Sequence, residues 1–232
     1  MAEHLSEEEQ LENLKKWWRN YGVVAITVVS ISVGSYFGLN FYKENERIRS
    51  EESSSKYQDM MDISIISSDK KISATQLKLI QKLASELKSS DDGSQYSIYS
   101  ALLMAKLHVE KNNLDLAAEE LNWALSRSQD DLAPIIKLRL ARVEASRGNI
   151  DLALSMINQN PPKVMTSAYH EAKGDFYLLK EDKVTAYDHY SLALSQLQDH
   201  DMPHLRNLKL KLNKVSPIPS TQDMNNKSGD EN

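Results

Sequence analysis

Residues 22–41 read GVVAITVVSISVGSYFGLNF, twenty positions without a charged side chain. Their polar members are Thr27, Ser30, Ser32, Ser35 and Asn40. At about 1.5 Å per residue, a helix of this length rises about 30 Å, the thickness of a bilayer's hydrocarbon core. A helix satisfies its own backbone hydrogen bonds, so such a run can sit in lipid. Trp17, Trp18 and Tyr21 cluster at one edge, Phe41 and Tyr42 at the other. Aromatic rings with a polar tip favour those two interfaces. A buried core helix is usually shorter and patterned on one face. A cleavable signal peptide has a shorter apolar run and a small-residue cleavage site. Here Lys43, Glu44, Asn45, Glu46 and Arg47 follow at once. The run is therefore read as a membrane anchor. Gly34 and Gly38 have the spacing that lets two helices approach closely, but glycine is common in membrane helices anyway.

The rest of the chain is too polar to follow the anchor into lipid. Of 28 basic and 33 acidic residues, three basic and five acidic precede the span, which leaves a net charge of −3 after it. An acidic balance argues against a nucleic-acid partner, which needs a basic face for phosphates. Seven glycines, six prolines and three phenylalanines are few for this length and favour helices over sheets. Cysteine is absent, which excludes disulfides, thiolate nucleophiles and Cys-ligated zinc. Lys15, Lys16 and Arg19 flank the span on one side, Lys43, Arg47 and Arg49 on the other. The positive-inside count is a tie, so charge alone does not orient the protein.

Residues 1–14 are acidic and polar; Ser6 and Glu9 have the spacing of a helix cap, but a loose tail is the expectation. Beyond the span, residues 43–68 lack proline and glycine. Tyr57, Met60, Met61, Ser64 and Ile65 share one helical face, which predicts a helix that leaves the membrane and bends onto the domain. Ser73 is placed to cap the next helix, whose Leu77, Ile80, Leu83, Ala84 and Leu87 keep the 3.6-residue period. The stretch SSDDG at 89–93 ends it.

From residue 98 the chain repeats itself. Ala117, Ala153 and Ala186 recur at spacings of 36 and 33. Twelve positions before each stands a small residue, Ala105, Ala141 and Gly174; four after each stands a large apolar one, Leu121, Ile157 and Tyr190. A polar break precedes each second helix, at Asn112–Asn113, Gly148–Asn149 and Glu181–Asp182. This is the pattern of the tetratricopeptide repeat, in which small residues let two helices of a hairpin cross closely. The repeat's usual Trp and Pro are missing, and Asn160 with Pro161–Pro162 forces a short second helix in the middle unit. Met202–Asn213 follows, with Leu205, Leu208 and Leu212 on one stripe and Arg206, Lys209 and Lys211 on the other, as in a helix that closes a repeat stack. Residues 214–232 are rich in Pro, Ser, Asn and Asp and are expected to be disordered.

The fold expected is all-α: one N-terminal transmembrane helix followed by a tetratricopeptide-like solenoid of helical hairpins. Its parts are a tail at 1–21, the transmembrane helix at 22–42, the helical domain at 43–213 and the C-terminal tail at 214–232. Its binding surface is expected on the concave face made by first helices: Tyr99, Leu102, Lys106 and Val109, then Ile135, Leu138, Arg142 and Ala145, then Asp175 and Leu178. Apolar side chains with a few charges suit a peptide segment. The competing reading is that the leucines are core; Lys106 and Arg142 fit it less well, because charges are rarely buried unpaired.

No pattern in the chain points to catalysis, a metal or a cofactor. Of the histidines His4, His108, His170, His189, His200 and His204, only His200 and His204 have a ligating i, i+4 spacing, and Pro203 between them breaks helix geometry. There is no glycine-rich phosphate loop and no GxSxG elbow. Asp91–Asp92 and Asp130–Asp131 lie in expected loops, where carboxylates are usually solvated.

The layout of a short acidic tail, one span, a charged stretch and degenerate hairpins, with the run KLRLARV at 137–143 and KLKLN at 209–213, resembles the YfgM family of ancillary SecYEG translocon subunits. The resemblance covers residues 5–213. It implies a bacterial inner-membrane protein with a cytoplasmic N-terminal tail and a periplasmic repeat domain. It implies partners: the SecYEG translocon, a membrane-anchored PpiD-like chaperone and emerging secreted chains. It implies no catalytic residues. A cytoplasm-facing tetratricopeptide scaffold or regulator is the alternative that the tied flank charges leave open.

Overall fold

The structure, a computed structural model, describes residues 7–66, 72–129, 131–159, 161–197 and 202–216. His4, Asp130, Asn160, His200 and the tail from 217 on lie outside the described residues. The described residues form nine α-helices and a 3-10 turn, with no strand among them. They fall into two compact units that divide between Ser55 and Lys56.

Helix α1 (Glu7–Ile66) passes through the first unit. Residues 7–14, expected as part of a loose tail, are its first turns; no proline or glycine interrupts the chain before Gly22. Among the described residues this is the one helix long and apolar enough to cross a membrane. Most of the run 22–41 is exposed, Val23 to 80% and Phe41 to 71%. Such a surface suits lipid and not water. Thr27 donates its hydroxyl to the Val23 carbonyl and Ser32 to the Val28 carbonyl, each at 2.8 Å. These local bonds satisfy hydroxyls that have no water to turn to. Past the run, Arg47 bridges Glu44 at 2.7 Å and Glu51 at 2.5 Å, pairs suited to a solvated helix face.

In the second unit, the last turns of α1 seat Met60 against α2 (Ala74–Ser90) and α3 (Gln95–Glu110). Ser73 caps α2: its hydroxyl accepts from the Gln76 amide at 3.2 Å, and the Gln76 side chain accepts from the Ser73 amide at 2.9 Å. Ile80, Ala84 and Leu87 bury the inner face of α2.

Three hairpins follow. They pair α3 with α4 (Leu114–Arg127), α5 (Ala133–Ser146) with α6 (Ile150–Met156), and α7 (Thr166–Leu179) with α8 (Lys183–Ser195). Ala105, Ala117, Ala141, Ala153 and Ala186 are all buried, as small residues at helix crossings must be. Gly174 takes the place of a sixth. A Cβ there would lie 2.6 Å from two carbons of the Tyr190 ring, so only glycine fits. Helix α6 has seven residues, ending well before Pro161–Pro162, and a 3-10 turn at Lys163–Met165 leads into α7.

The hairpin turns share one geometry. Asn112, Gly148 and Glu181 take left-handed backbone, at φ of 57°, 88° and 62°. Behind each, two amide bonds close the helix end: Asn112 to Val109 and Asn113 to His108, Gly148 to Ala145 and Asn149 to Glu144, Glu181 to Leu178 and Asp182 to Tyr177. That pair of bonds is the Schellman closure. The residue before each of the later two turns also reaches back one hairpin, Arg147 to Asp115 and Lys180 to Asp151, both at 2.7 Å.

Helix α9 (Met202–Val215) packs on α8 through Leu208 and Leu212. Arg206 and Lys209 are exposed. Lys211, expected beside them on the outer stripe, instead turns inward to carboxylates on α7.

Candidate functional site

The first helices of the first two hairpins and the end of α1 enclose an open groove of about 770 Å³. Helix α3 supplies Tyr99, Leu102, Lys106 and Val109, an i, i+3, i+7, i+10 stripe. Helix α5 supplies Ile135, Arg139 and Arg142 at i, i+4, i+7. Helix α1 supplies Tyr57, Met61, Ser64 and Ile65. The floor is therefore apolar, with the charges of Lys106, Glu110, Arg139 and Arg142 along it. Lys106 is engaged by Glu110 at 3.7 Å. Tyr57 stands 5.9 Å from Tyr99, ring centre to ring centre, and burial raises its phenol above the ordinary value, with Tyr99 adding to the shift. It stays neutral at physiological pH.

Six of the ten residues read from the sequence as a binding surface line this groove: Tyr99, Leu102, Lys106, Val109, Ile135 and Arg142. The other four do not. Leu138 and Ala145 are buried in the core between α5, α6 and α7. Leu178 packs beside Ala186 and Tyr190. Asp175 belongs to a polar cluster instead. It accepts the Tyr190 hydroxyl at 2.8 Å and the Lys211 ammonium at 2.7 Å, and Lys211 also reaches Glu171 at 2.8 Å. Burial works against the Lys211 charge, but the hydrogen bonds to Asp175 and Glu171 outweigh it and raise its pKa. Burial and then the Asp175 bond push the Tyr190 phenol well up. This cluster ties α9 to α7, and both Asp175 oxygens are engaged within it.

Sequence reasoning missed Arg139, which stands three residues before Arg142 and four after Ile135, and it missed the part α1 plays. The shared face of Tyr57, Met61, Ser64 and Ile65 was legible. That it would form a groove wall as well as dock on the domain was not.

Among the described residues no three His, Asp or Glu side chains stand close enough to hold a metal ion. His170 and His189 meet through their Nδ1 atoms at 3.1 Å, and Tyr177 stacks on His189. Burial lowers the pKa of both, with Lys173 adding for each and His170 adding for His189. His204 sits 3.3 Å from Glu171. Asp92 is engaged by Arg127.

The family described as "Tetratricopeptide repeat-like domain" matches residues 15–217 of the chain. Among relatives, a protein of Aggregatibacter actinomycetemcomitans is 30% identical over 83% of this chain and 91% of its own length. One from Haemophilus influenzae is 27% identical over 93% of this chain and its own full length. One from Escherichia coli is 26% identical over 77% of this chain and 82% of its own length. Each of the three is named "Ancillary SecYEG translocon subunit". One apolar helix, three hairpins with small residues at their crossings and relatedness along almost the whole chain lead to one assignment: the protein belongs to the YfgM family of ancillary SecYEG translocon subunits, built on tetratricopeptide-like repeats.

Proposed function

We propose that this protein is a membrane-tethered binding module that works beside the Sec translocon, with its repeats in the periplasm. It holds a PpiD-like membrane-anchored chaperone or emerging secreted chains through the groove between α3 and α5. The reading is supported above all by that groove: an apolar floor with a few charges, built on helices. The tether contributes without any contact of its own, because fixing a module at the membrane raises its local concentration near the translocon. Family membership supplies the translocon as the neighbour.

Protease treatment of intact spheroplasts tests the orientation. The repeat domain is expected to be cut without lysis. Protection until lysis would instead favour a cytoplasm-facing scaffold or regulator using the same groove. Photo-crosslinking from a probe at position 142 in intact membranes tests the surface. A product containing a translocon subunit or the chaperone is expected; its absence, with full crosslinking from a probe on another face, would remove the groove from the reading.

A further inference from the structure

The groove's charge is opposite in sign to the chain that carries it. The protein has a net charge of −5. Among the charged side chains that line the groove, three are basic and one is acidic. Lys106 and Glu110 engage each other at 3.7 Å. Arg139 and Arg142 are exposed and make no side-chain hydrogen bond or ion pair among the described residues. They sit on the same face of α5, three residues apart, above the apolar floor.

We propose that the groove takes a helical segment of a partner protein that carries carboxylates beside its apolar stripe. This rests on the reading of the groove as the binding surface, and it names the chemistry of the occupant. The stripe from Tyr99 to Val109 descends α3 for about 15 Å, the rise of about three helical turns. Two parallel rows of side chains on α3 and α5 form the kind of trough into which a third helix seats its own ridge. Leu102, Val109 and Ile135 meet its apolar residues. Arg139 and Arg142 meet its carboxylates, each guanidinium able to bind one through two parallel hydrogen bonds. An acidic segment is repelled by the rest of an acidic molecule and attracted here, so the same charges that bind also select the place.

The test uses the full chain in nanodiscs of zwitterionic lipid, with empty discs as the baseline. Three fluorescein-labelled amphipathic peptides of 14 residues share one leucine stripe and carry Glu, Gln or Lys at the flanking positions. Fluorescence anisotropy gives their affinities. The Glu peptide is expected to bind about three- to tenfold more tightly than the Gln peptide, the range two exposed ion pairs supply, and the Lys peptide least tightly. The order is expected to narrow as salt rises and to reverse in the Arg139→Glu/Arg142→Glu chain. Ile135→Asp and Val109→Asp, both at exposed positions and checked for helix content, are expected to weaken all three. If the three peptides bind alike and the aspartate variants abolish binding, the groove binds but charge does not choose, and this proposal falls while the groove reading stands. If none binds, or the aspartate variants change nothing, both fall. If the chain alone dimerises by mass photometry and Arg142→Glu dissolves the dimer while peptides do not compete, a second copy is the occupant and the proposal falls.

Discussion

At the residue scale, the repeat is written in conformations as well as in side chains. Asn112, Gly148 and Glu181 occupy equivalent turns with left-handed backbone. Glycine meets that demand without strain and asparagine tolerates it, whereas a glutamate there costs about 1–2 kcal/mol. Glu181→Gly is therefore expected to stabilise the chain by about 0.5–1 kcal/mol, because glycine's greater freedom when unfolded offsets part of the gain; urea unfolding measures it. Gly174 shows the reverse case. In an open helix, Gly→Ala gains about 1 kcal/mol. Here the new Cβ meets the buried Tyr190 ring at 2.6 Å. Gly174→Ala is expected to destabilise by about 1–3 kcal/mol, the range for overpacking, and Tyr190→Leu in the same chain to recover part of the loss. The His170–His189 contact sets a pH dependence. Both imidazoles are lowered from 6.5, by burial first, with Lys173 adding and Asp188 opposing at His189. The unfolded chain therefore binds more protons just below pH 6.5, so stability is complete above that value and is lost as pH falls through the window beneath it. Thermal melts at pH 7.5 and 5.5 are expected to show a lower Tm at 5.5, with a smaller difference in His189→Gln.

At the element scale, α6 is the weak member of the stack. Seven residues make only two turns, with Ala153 and then Ile157 at its C-cap as its fully buried anchors. Its counterparts α4 and α8 have 14 and 13 residues. Fewer buried contacts per backbone hydrogen bond mean cheaper local opening. Hydrogen exchange is expected to be faster in Ile150–Met156 than in Leu114–Arg127 or Lys183–Ser195, and equal rates would refute this ranking. Helix α9 is held more firmly than a surface helix, since Lys211 leaves its polar stripe to pair with Glu171 and Asp175. A period-3.6 reading places Lys211 with Arg206 and Lys209. A carboxylate pair on another helix, one turn apart, pulls it the other way, and no local pattern contains that information.

At the scale of the whole molecule, one helix carries the membrane assignment. Its large apolar side chains between Val23 and Phe41 are exposed. Ile31→Arg puts a charge near the middle of the run, at a cost of about 2.5–3.5 kcal/mol on the insertion scale. It is expected to shift the protein from the carbonate-resistant membrane fraction toward the extractable one, with the helical signal of the repeats retained. Unchanged fractionation would mean that the run is not the anchor.

Sequence alone determined the span, the three hairpins, the cap at Ser73 and the shortened middle helix. Each depends on local spacing: twenty uncharged positions, small residues twelve apart, a hydroxyl before a helix, prolines after one. Only the tertiary structure decided which first-helix residues face open space. Leu102 and Leu138 are equivalent in the repeat, yet Leu102 lines the groove and Leu138 is sealed in the core. The difference comes from the neighbour across from each one. Periodicity fixes the face a side chain points from, but not what stands opposite it.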